Sequence, residues 1–308
     1  MPGKNKIAIA IHGGAGPGSN YIKEHRQEYE SHLREVIDAA YKLLKNGGTA
    51  VDAVEAAVRL MEENELFNAG RGSAINSKGE VEMDASIMDG AKISAGAVSM
   101  VKNVKHPVTL AKLVMLDTSH VLLSGAGALE FARSKNLELE ADAWFITPHQ
   151  YDIFIEESKS TSAPELMKKR VHGTVGAVAL DYKGNVAAAT STGGTTNSLP
   201  GRIGDSCIIG AGCYANNKTC AVSGTGDGEF LITGVVAHSI AAAIEYTGCS
   251  LQAACDLVIH EKNQHVEGDM GVISVNQLGD IGISFNSERM HRAWISEDQA
   301  LQVKVYNE

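Results

Sequence analysis

Apolar residues recur along this chain in two rhythms, short unbroken runs and runs repeating every three to four positions. Residues 7–11 are apolar throughout and lead into His12-Gly13-Gly14, which predicts a central strand running into a glycine loop. Over residues 21–46 the apolar positions are Leu33, Ile37, Ala40, Leu43 and Leu44, with Gly47-Gly48 as the stop, which predicts a helix. Thr49 caps a second helix with Asp52 in its first turn and Val54, Ala57, Val58 and Met61 on the inner face. Residues 67–73 read as a loop, 81–88 and 95–101 as strands around Asp89-Gly90, and 107–115 as a helix. Further helices are expected over 229–246 and 251–262.

Between residues 134 and 172 the rhythm is lost. Charged residues mix with the aromatics Trp144, Phe145, Tyr151 and Phe154, which predicts a long, mobile connection. So long a structureless segment inside a compact domain calls for a role such as a lid or a processed linker.

An echo within the chain bears on the fold. Gly173, Gly176 and Gly184 have the spacing of Gly268, Gly271 and Gly279, each set suiting a β-hairpin that turns at its third glycine. Two such hairpins with helices between them suggest two sheets packed face to face and helices outside, although three glycines in a glycine-rich chain also match by chance.

Composition narrows the function. The chain has 308 residues, 44% hydrophobic and 21% charged, enough for one large or two modest cores. A net charge of −10 argues against nucleic acid or an anionic membrane as partner. No membrane span is expected, and the short apolar run at residues 7–11 does not resemble a signal-peptide core, so a cytoplasmic protein is expected. The five cysteines show neither paired spacing nor a metal-ligand comb with histidine, so disulfides and zinc are not expected. Glycine is enriched, at 32 residues, and clusters where backbone must turn or approach closely.

Several of those clusters carry candidate chemistry. Thr174 stands between Gly173 and the apolar run from Val175, with no base beside it in sequence. Cutting the chain before Thr174 would supply one, because the freed α-amine has a pKa of about 7.7–8.0 and reaches the same residue's Oγ. A threonine opening a strand after glycine is also commonplace. Antiparallel pairing of the hairpin brings Thr192 back beside Thr174, either as a positioning hydroxyl or as an ordinary turn residue. Arg202 and Asp205, flanked by Gly201 and Gly204, offer a fork for an α-carboxylate and an acceptor for an α-ammonium, or simply a surface ion pair. Residues 223–229 precede a helix, and their N–H groups with the Thr225 hydroxyl suit an oxyanion hole or a phosphate. A nucleotide site is disfavoured because no GxGxxG with a suitably spaced acid and no GxxxxGK[ST] occurs. The absence of GxSxG likewise disfavours an α/β-hydrolase.

Taken together and in this order, HGGAG (12–16), FNAGRGS (67–73), MDASIMDG (83–90), SAGAVS (94–99), GTVGAVALD (173–181), TSTGG (190–194), GRIGDS (201–206), GAGCYA (210–215) and SGTGDGE (223–229) resemble the plant-type L-asparaginase/isoaspartyl peptidase family of N-terminal-nucleophile hydrolases. The resemblance covers most of the chain and is weakest over 134–172 and after 288. It implies an αββα sandwich, an α/β fold of four layers, and a precursor that cleaves itself between Gly173 and Thr174 into an α chain (1–173) and a β chain (174–308). These would form one folded unit, dimerising as (αβ)2. It further implies Thr174 as nucleophile, Thr192 as its positioning partner, Arg202 and Asp205 as holders of the substrate α-carboxylate and α-ammonium, and Thr225 with the Gly226 N–H as oxyanion hole. A Gly228 backbone contact to substrate, Asn68 beside the site, and a Gly13 carbonyl on the freed amine are implied as well.

The family often holds a structural sodium ion on backbone carbonyls, here those of Met61, Glu62, Asn64, Phe67, Ala69 and Arg71, and uses no cofactor in catalysis. Substrates would be L-asparagine and β-aspartyl dipeptides. Ser198 and Cys207 depart from the commonest pattern near Arg202 and Asp205, which leaves the balance between those substrates open. A glycosylasparaginase typically has Asp before its threonine, where this chain has Gly173. An uncleaved homologue acting as a binding protein would be expected to lack one of these residues, and all are present.

Overall fold

The computed structural model describes residues 6–159 and 173–307. Among these, β1 (Ala8–Gly16), β2 (Met83–Asp89), β3 (Ser94–Val101), β4 (Leu122–Ser124), β5 (Val175–Leu180), β6 (Val186–Thr192), β11 (Arg289–Ser296) and β12 (Gln302–Tyr306) build one sheet in the order β12-β11-β1-β5-β6-β2-β3-β4. A second sheet has the order β10-β9-β8-β7, from β7 (Cys213–Ala215), β8 (Ala221–Gly226), β9 (Met270–Val275) and β10 (Ile281–Phe285).

Strand periodicity divides the apolar residues into three cores. Ile9 and Ile11 of β1, Ala177 and Ala179 of β5, and Ala187 and Ala189 of β6 face helices Arg26–Lys45, Ala50–Glu62 and Pro107–Asp117. Their neighbours Ala8, Ala10, Val178, Leu180, Val186 and Ala188 meet Ala221, Ile273 and Val275 of the second sheet. On the far side of that sheet, Val222, Met270 and Val272 pack against helices Val236–Thr247 and Leu251–Asp256. The order is helix, sheet, sheet, helix, the αββα sandwich expected. Small residues such as Ala8, Ala10, Ala188 and Ala221 alternate with larger ones on the face between the sheets.

Both echoed segments are hairpins. β5 pairs with β6 and β9 with β10, all antiparallel, and the turns contain Gly184 and Gly279 at φ +80° and +84°. They lie in different sheets. The Thr49 cap is also present, its hydroxyl accepting from the Asp52 N–H at 3.1 Å.

Four expectations are corrected. The glycine run after Ile11 continues β1 to Gly16, with a bulge between His12 and Gly14 that shifts its register against β11. The first helix is broken at His25 into Asn20–Glu24 and Arg26–Lys45. Residues 228–247 are apolar and long enough to cross a membrane. They form two helices, Gly228–Gly234 and Val236–Thr247, separated by Val235 in the left-handed conformation, and their inner faces pack on the second sheet.

The connection after residue 134 is not structureless over its described part, since it contains helices Asp142–Phe145 and Pro148–Lys159. Its aromatics are anchors. Phe145 packs on Val81 and Met83 while its carbonyl accepts from the Gly72 N–H at 3.0 Å, and His149 stacks on Tyr21 with ring centroids 3.5 Å apart. The rest of the expected linker, 160–172, lies outside the described residues.

Candidate active site

The bond between Gly173 and Thr174 lies where β1, β6 and the 67–73 loop meet. Thr174 is buried immediately before β5, and pairing of Val175 with Ser191 in the antiparallel ladder sets Thr192 across from Thr174. The Gly173 carbonyl oxygen accepts two hydrogen bonds, from Asn68 Nδ2 at 2.8 Å and Thr192 Oγ1 at 3.1 Å. Neither donor is loose. Asn68 Nδ2 also donates to the Gly194 carbonyl and its Oδ1 accepts from the Ala74 N–H, while Thr192 Oγ1 accepts from the Gly194 N–H. With its acceptor side so engaged, the Thr192 hydroxyl proton is directed to Gly173. Gly14 lies against the same bond, where a Cβ would sit 3.0 Å from the Gly173 Cα and 3.4 Å from the Thr174 nitrogen. The Gly13 carbonyl is 3.4 Å from His291 Nδ1.

Behind the threonine runs a polar chain that sequence reasoning missed. The Thr174 carbonyl is 3.0 Å from His12 Nδ1, His12 Nε2 is 2.9 Å from Ser223 Oγ, and Ser223 Oγ is 2.7 Å from Thr190 Oγ1. A carbonyl can only accept, so Nδ1 carries the proton and Nε2 accepts from the serine. Full burial pushes the His12 pKa down to about 3, so the ring is neutral. Gly176 makes room for it, since a Cβ there would lie 2.0 Å from Ser223 Oγ and 2.4 Å from His12 Nε2.

Thr225 and Gly226 end β8, with the Thr225 side chain facing the first sheet. Thr225 Oγ1 accepts from the Ala15 N–H at 3.1 Å, which leaves its own proton to be donated. Gly226 has φ +129°, and a Cβ there would lie 2.1 Å from the Asp269 carbonyl oxygen.

Arg202 and Asp205 do not form a simple surface pair. The Arg202 Nε and Nη2 each bind one oxygen of Glu229 at 3.0 Å, so one edge of the fork is taken by a residue that sequence reasoning did not single out. Asp205 is buried, its Oδ2 has no hydrogen-bond partner among the described residues, and burial pushes its pKa up to about 7 against the pull of Arg202. Asp84, which accepts from the Gly204 N–H, is likewise pushed up to about 6 by burial. Gly228 borders both groups: a Cβ there would lie 2.9 Å from Arg202 Nη2 and from Asp205 Oδ1. An unpaired buried carboxylate beside a guanidinium, with a glycine keeping the space open, can take a cation and an anion carried on one carbon. Cys207 is buried in the same turn as Asp205, and Ser198 is buried four residues before Arg202.

Comparison with known proteins shows the family. Residues 5–305 match the family described as Asparaginase. The chain belongs to that family. It is 45% identical to the isoaspartyl peptidase of Salmonella typhimurium, over 99% of this chain and 100% of that protein. Identity is 43% to the isoaspartyl peptidase of Escherichia coli, covering 98% and 97% of the two chains, and 42% to the human isoaspartyl peptidase/L-asparaginase, covering 93% and 92%. Residues of three motifs far apart in sequence, Gly14, Asn68 and Thr192, gather around the Gly173–Thr174 bond.

Proposed function

We propose that the chain is a self-processing threonine amidohydrolase that converts L-asparagine to L-aspartate and ammonia and cleaves β-aspartyl dipeptides. The observation that carries this reading is the Gly173 carbonyl, gripped by two side-chain donors in front of a buried threonine. In the intact chain, Thr174 Oγ attacks the Gly173 carbonyl carbon, and Asn68 Nδ2 and Thr192 Oγ1 hold the oxyanion. The C–N bond breaks, the Thr174 nitrogen takes the proton, and water hydrolyses the resulting ester. That leaves a Gly173 carboxylate and a Thr174 α-amine.

The amine then serves as base. The substrate α-carboxylate meets the unshared edge of Arg202 and its α-ammonium meets Asp205, which presents the side-chain carbonyl to Thr174 Oγ. Thr225 Oγ1 and the Gly226 N–H stabilise the oxyanion, ammonia or an amino acid departs with the proton, and water releases aspartate. The names borne by the bacterial and human relatives support both substrates. No specific observation favours a glycosylasparaginase or a binding protein.

The reading includes a sodium ion on the carbonyls of Met61, Glu62, Asn64, Phe67, Ala69 and Arg71, as a structural brace without a catalytic step. The tight loop brings these neutral oxygens together, and those of Met61, Glu62, Asn64 and Phe67 would bind the ion with the lone pair left over from the backbone N–H bond each accepts. Assembly as (αβ)2 is supported by Val235 and Tyr246, 47% and 81% exposed on the apolar 228–247 helices. Five free cysteines suit the cytoplasm.

The test is intact mass under denaturing conditions, on fresh protein and after days at neutral pH. Two masses summing to the chain plus one water, the smaller starting at Thr174, are expected. A single persistent full-length mass would refute self-processing.

A further inference from the structure

A cavity of about 320 Å³ opens beside the scissile bond, walled in part by Gly13, Asn68 and Gly173. Neither Arg202 nor Asp205 lines it, so it is distinct from the pocket for the aspartyl portion. Gly173 is bonded to the Thr174 nitrogen, which places the cavity on the amino side of the nucleophile. In the proposed reaction the departing amine collects its proton from that nitrogen. The leaving group must therefore exit on this side, beside Gly173.

Arg289 forms part of the lining and is an unusual residue to find there. It is buried, yet among the described residues no carboxylate lies within ion-pairing distance. Its Nε donates to the Pro17 carbonyl, and Nη1 contacts the Gly14 carbonyl at 3.5 Å and His291 Nδ1 at 3.3 Å. Nη2 has no hydrogen-bond partner among the described residues. Asp269 and Glu288 attract Arg289 only from beyond ion-pairing distance, and a guanidinium so placed is costly to bury unless an anion meets it. His291, neutral because burial and Arg289 hold its pKa well below the usual range, stacks on Tyr29 and adds no charge to cancel that of the arginine. The acidic side chains lining the cavity, Glu156 and Glu157, belong to helix Pro148–Lys159, and neither pairs with Arg289.

We propose that Arg289 is a specificity residue that receives the α-carboxylate of the amino acid leaving a β-aspartyl dipeptide, making this cavity the leaving-group subsite. This rests on the amidohydrolase reading above. Asparagine, whose leaving group is ammonia, gains nothing from Arg289, whereas a dipeptide gains a charge-assisted contact. The volume suits a single amino acid, at the small end of the roughly 300–1,000 Å³ range of ligand pockets.

The experiment compares kcat/KM of the processed enzyme for β-aspartyl-leucine, its C-terminal amide and L-asparagine, in the wild type and in Arg289→Met and Arg289→Lys. The wild type is expected to prefer the free acid over the amide by about 10–100-fold, the usual range for a hydrogen bond to a charged group. In Arg289→Met that preference collapses and the ratio of dipeptide to asparagine turnover falls at least about tenfold, with Arg289→Lys intermediate. Equal wild-type rates on acid and amide would overturn the subsite while leaving the hydrolase intact, and this comparison decides even if the variants fail to fold. Undiminished preference in a folded Arg289→Met would also overturn it. Failure of the wild type on every substrate would remove the amidohydrolase reading, and the subsite with it.

Discussion

Replacing Thr192 by Val tests the processing step with little change of volume. The side chain is buried, and its hydroxyl makes two bonds, donating to the Gly173 carbonyl at 3.1 Å and accepting from the Gly194 N–H at 3.1 Å. Valine removes one of the two donors on the developing oxyanion and leaves Asn68 in place at 2.8 Å. Loss of one such donor typically slows the step by about 10²–10³-fold. The orphaned Gly194 N–H adds a stability cost of about 1–3 kcal/mol, which melting temperature reads separately. Processing is followed by intact mass at timed intervals after purification. A processing half-life of hours should lengthen to weeks or more, and Thr192→Ser should recover most of the rate because it restores the hydroxyl. Cleavage of Thr192→Val at the wild-type rate would refute the role given to this hydroxyl, and failure of the serine variant to recover would mean that the methyl group matters more.

Four further outcomes are expected. Gly228→Ala puts a methyl 2.9 Å from Arg202 Nη2 and Asp205 Oδ1, so KM for asparagine should rise at least about tenfold while self-cleavage proceeds, as kinetics and mass together will tell. Asp205 titrates near 7 in the free protein and must be ionised to pair with an ammonium, so KM should climb as pH falls below about 7 and substrate binding should release a proton, measurable by calorimetry in buffers of different ionisation enthalpy. Because its folded pKa is raised above the ordinary 3.8, Asp205 holds its proton more tightly when folded, so its contribution to stability is present at low pH and is lost as pH rises from about 4 to 7. Asp205→Asn should therefore flatten the thermal-melt profile in that window. Gly176→Ala forces a Cβ into the His12 and Ser223 contact, and melting temperature should fall or the protein become insoluble.

The layered fold was legible because its signals are local. The two hairpins announce themselves through Gly184 and Gly279, and the Thr49 cap through its own first turn. The glycine-flanked polar residues Thr174, Arg202, Asp205 and Thr225 were likewise visible as candidates. Asn68 was placed at the site only by the family resemblance, and the contact of His12 with Ser223 was not foreseen, because such contacts join distant segments: Asn68 reaches Gly173 across 105 positions, and His12 reaches Ser223 across 211. Glu229 on Arg202 was hidden as well, since nothing in the sequence marks it as the partner of an arginine 27 positions earlier. The segment after residue 134 misled because its aromatics find partners in Val81, Met83 and Tyr21, far earlier in the chain. Val235 breaks its helix through a backbone conformation that its side chain does not advertise.

The order of strands in the first sheet has a consequence for the protein after processing. β1, from the piece before the cut, lies between β5 and β11, both from the piece after it, and β2 of the first piece is bonded to β6 of the second. After the proposed cut the two polypeptides would thus be woven through one another, and neither could leave without dismantling the middle of the sheet. Cleavage would remove the covalent link while leaving native cooperativity almost untouched. Refolding would change in kind. The precursor can recover its structure as a single molecule at any dilution, whereas the processed enzyme must reunite two strangers, at a rate that falls with concentration. The Gly173–Thr174 bond would then act as a folding tether as well as a site of activation, present while the weave is made and dispensable once it is complete.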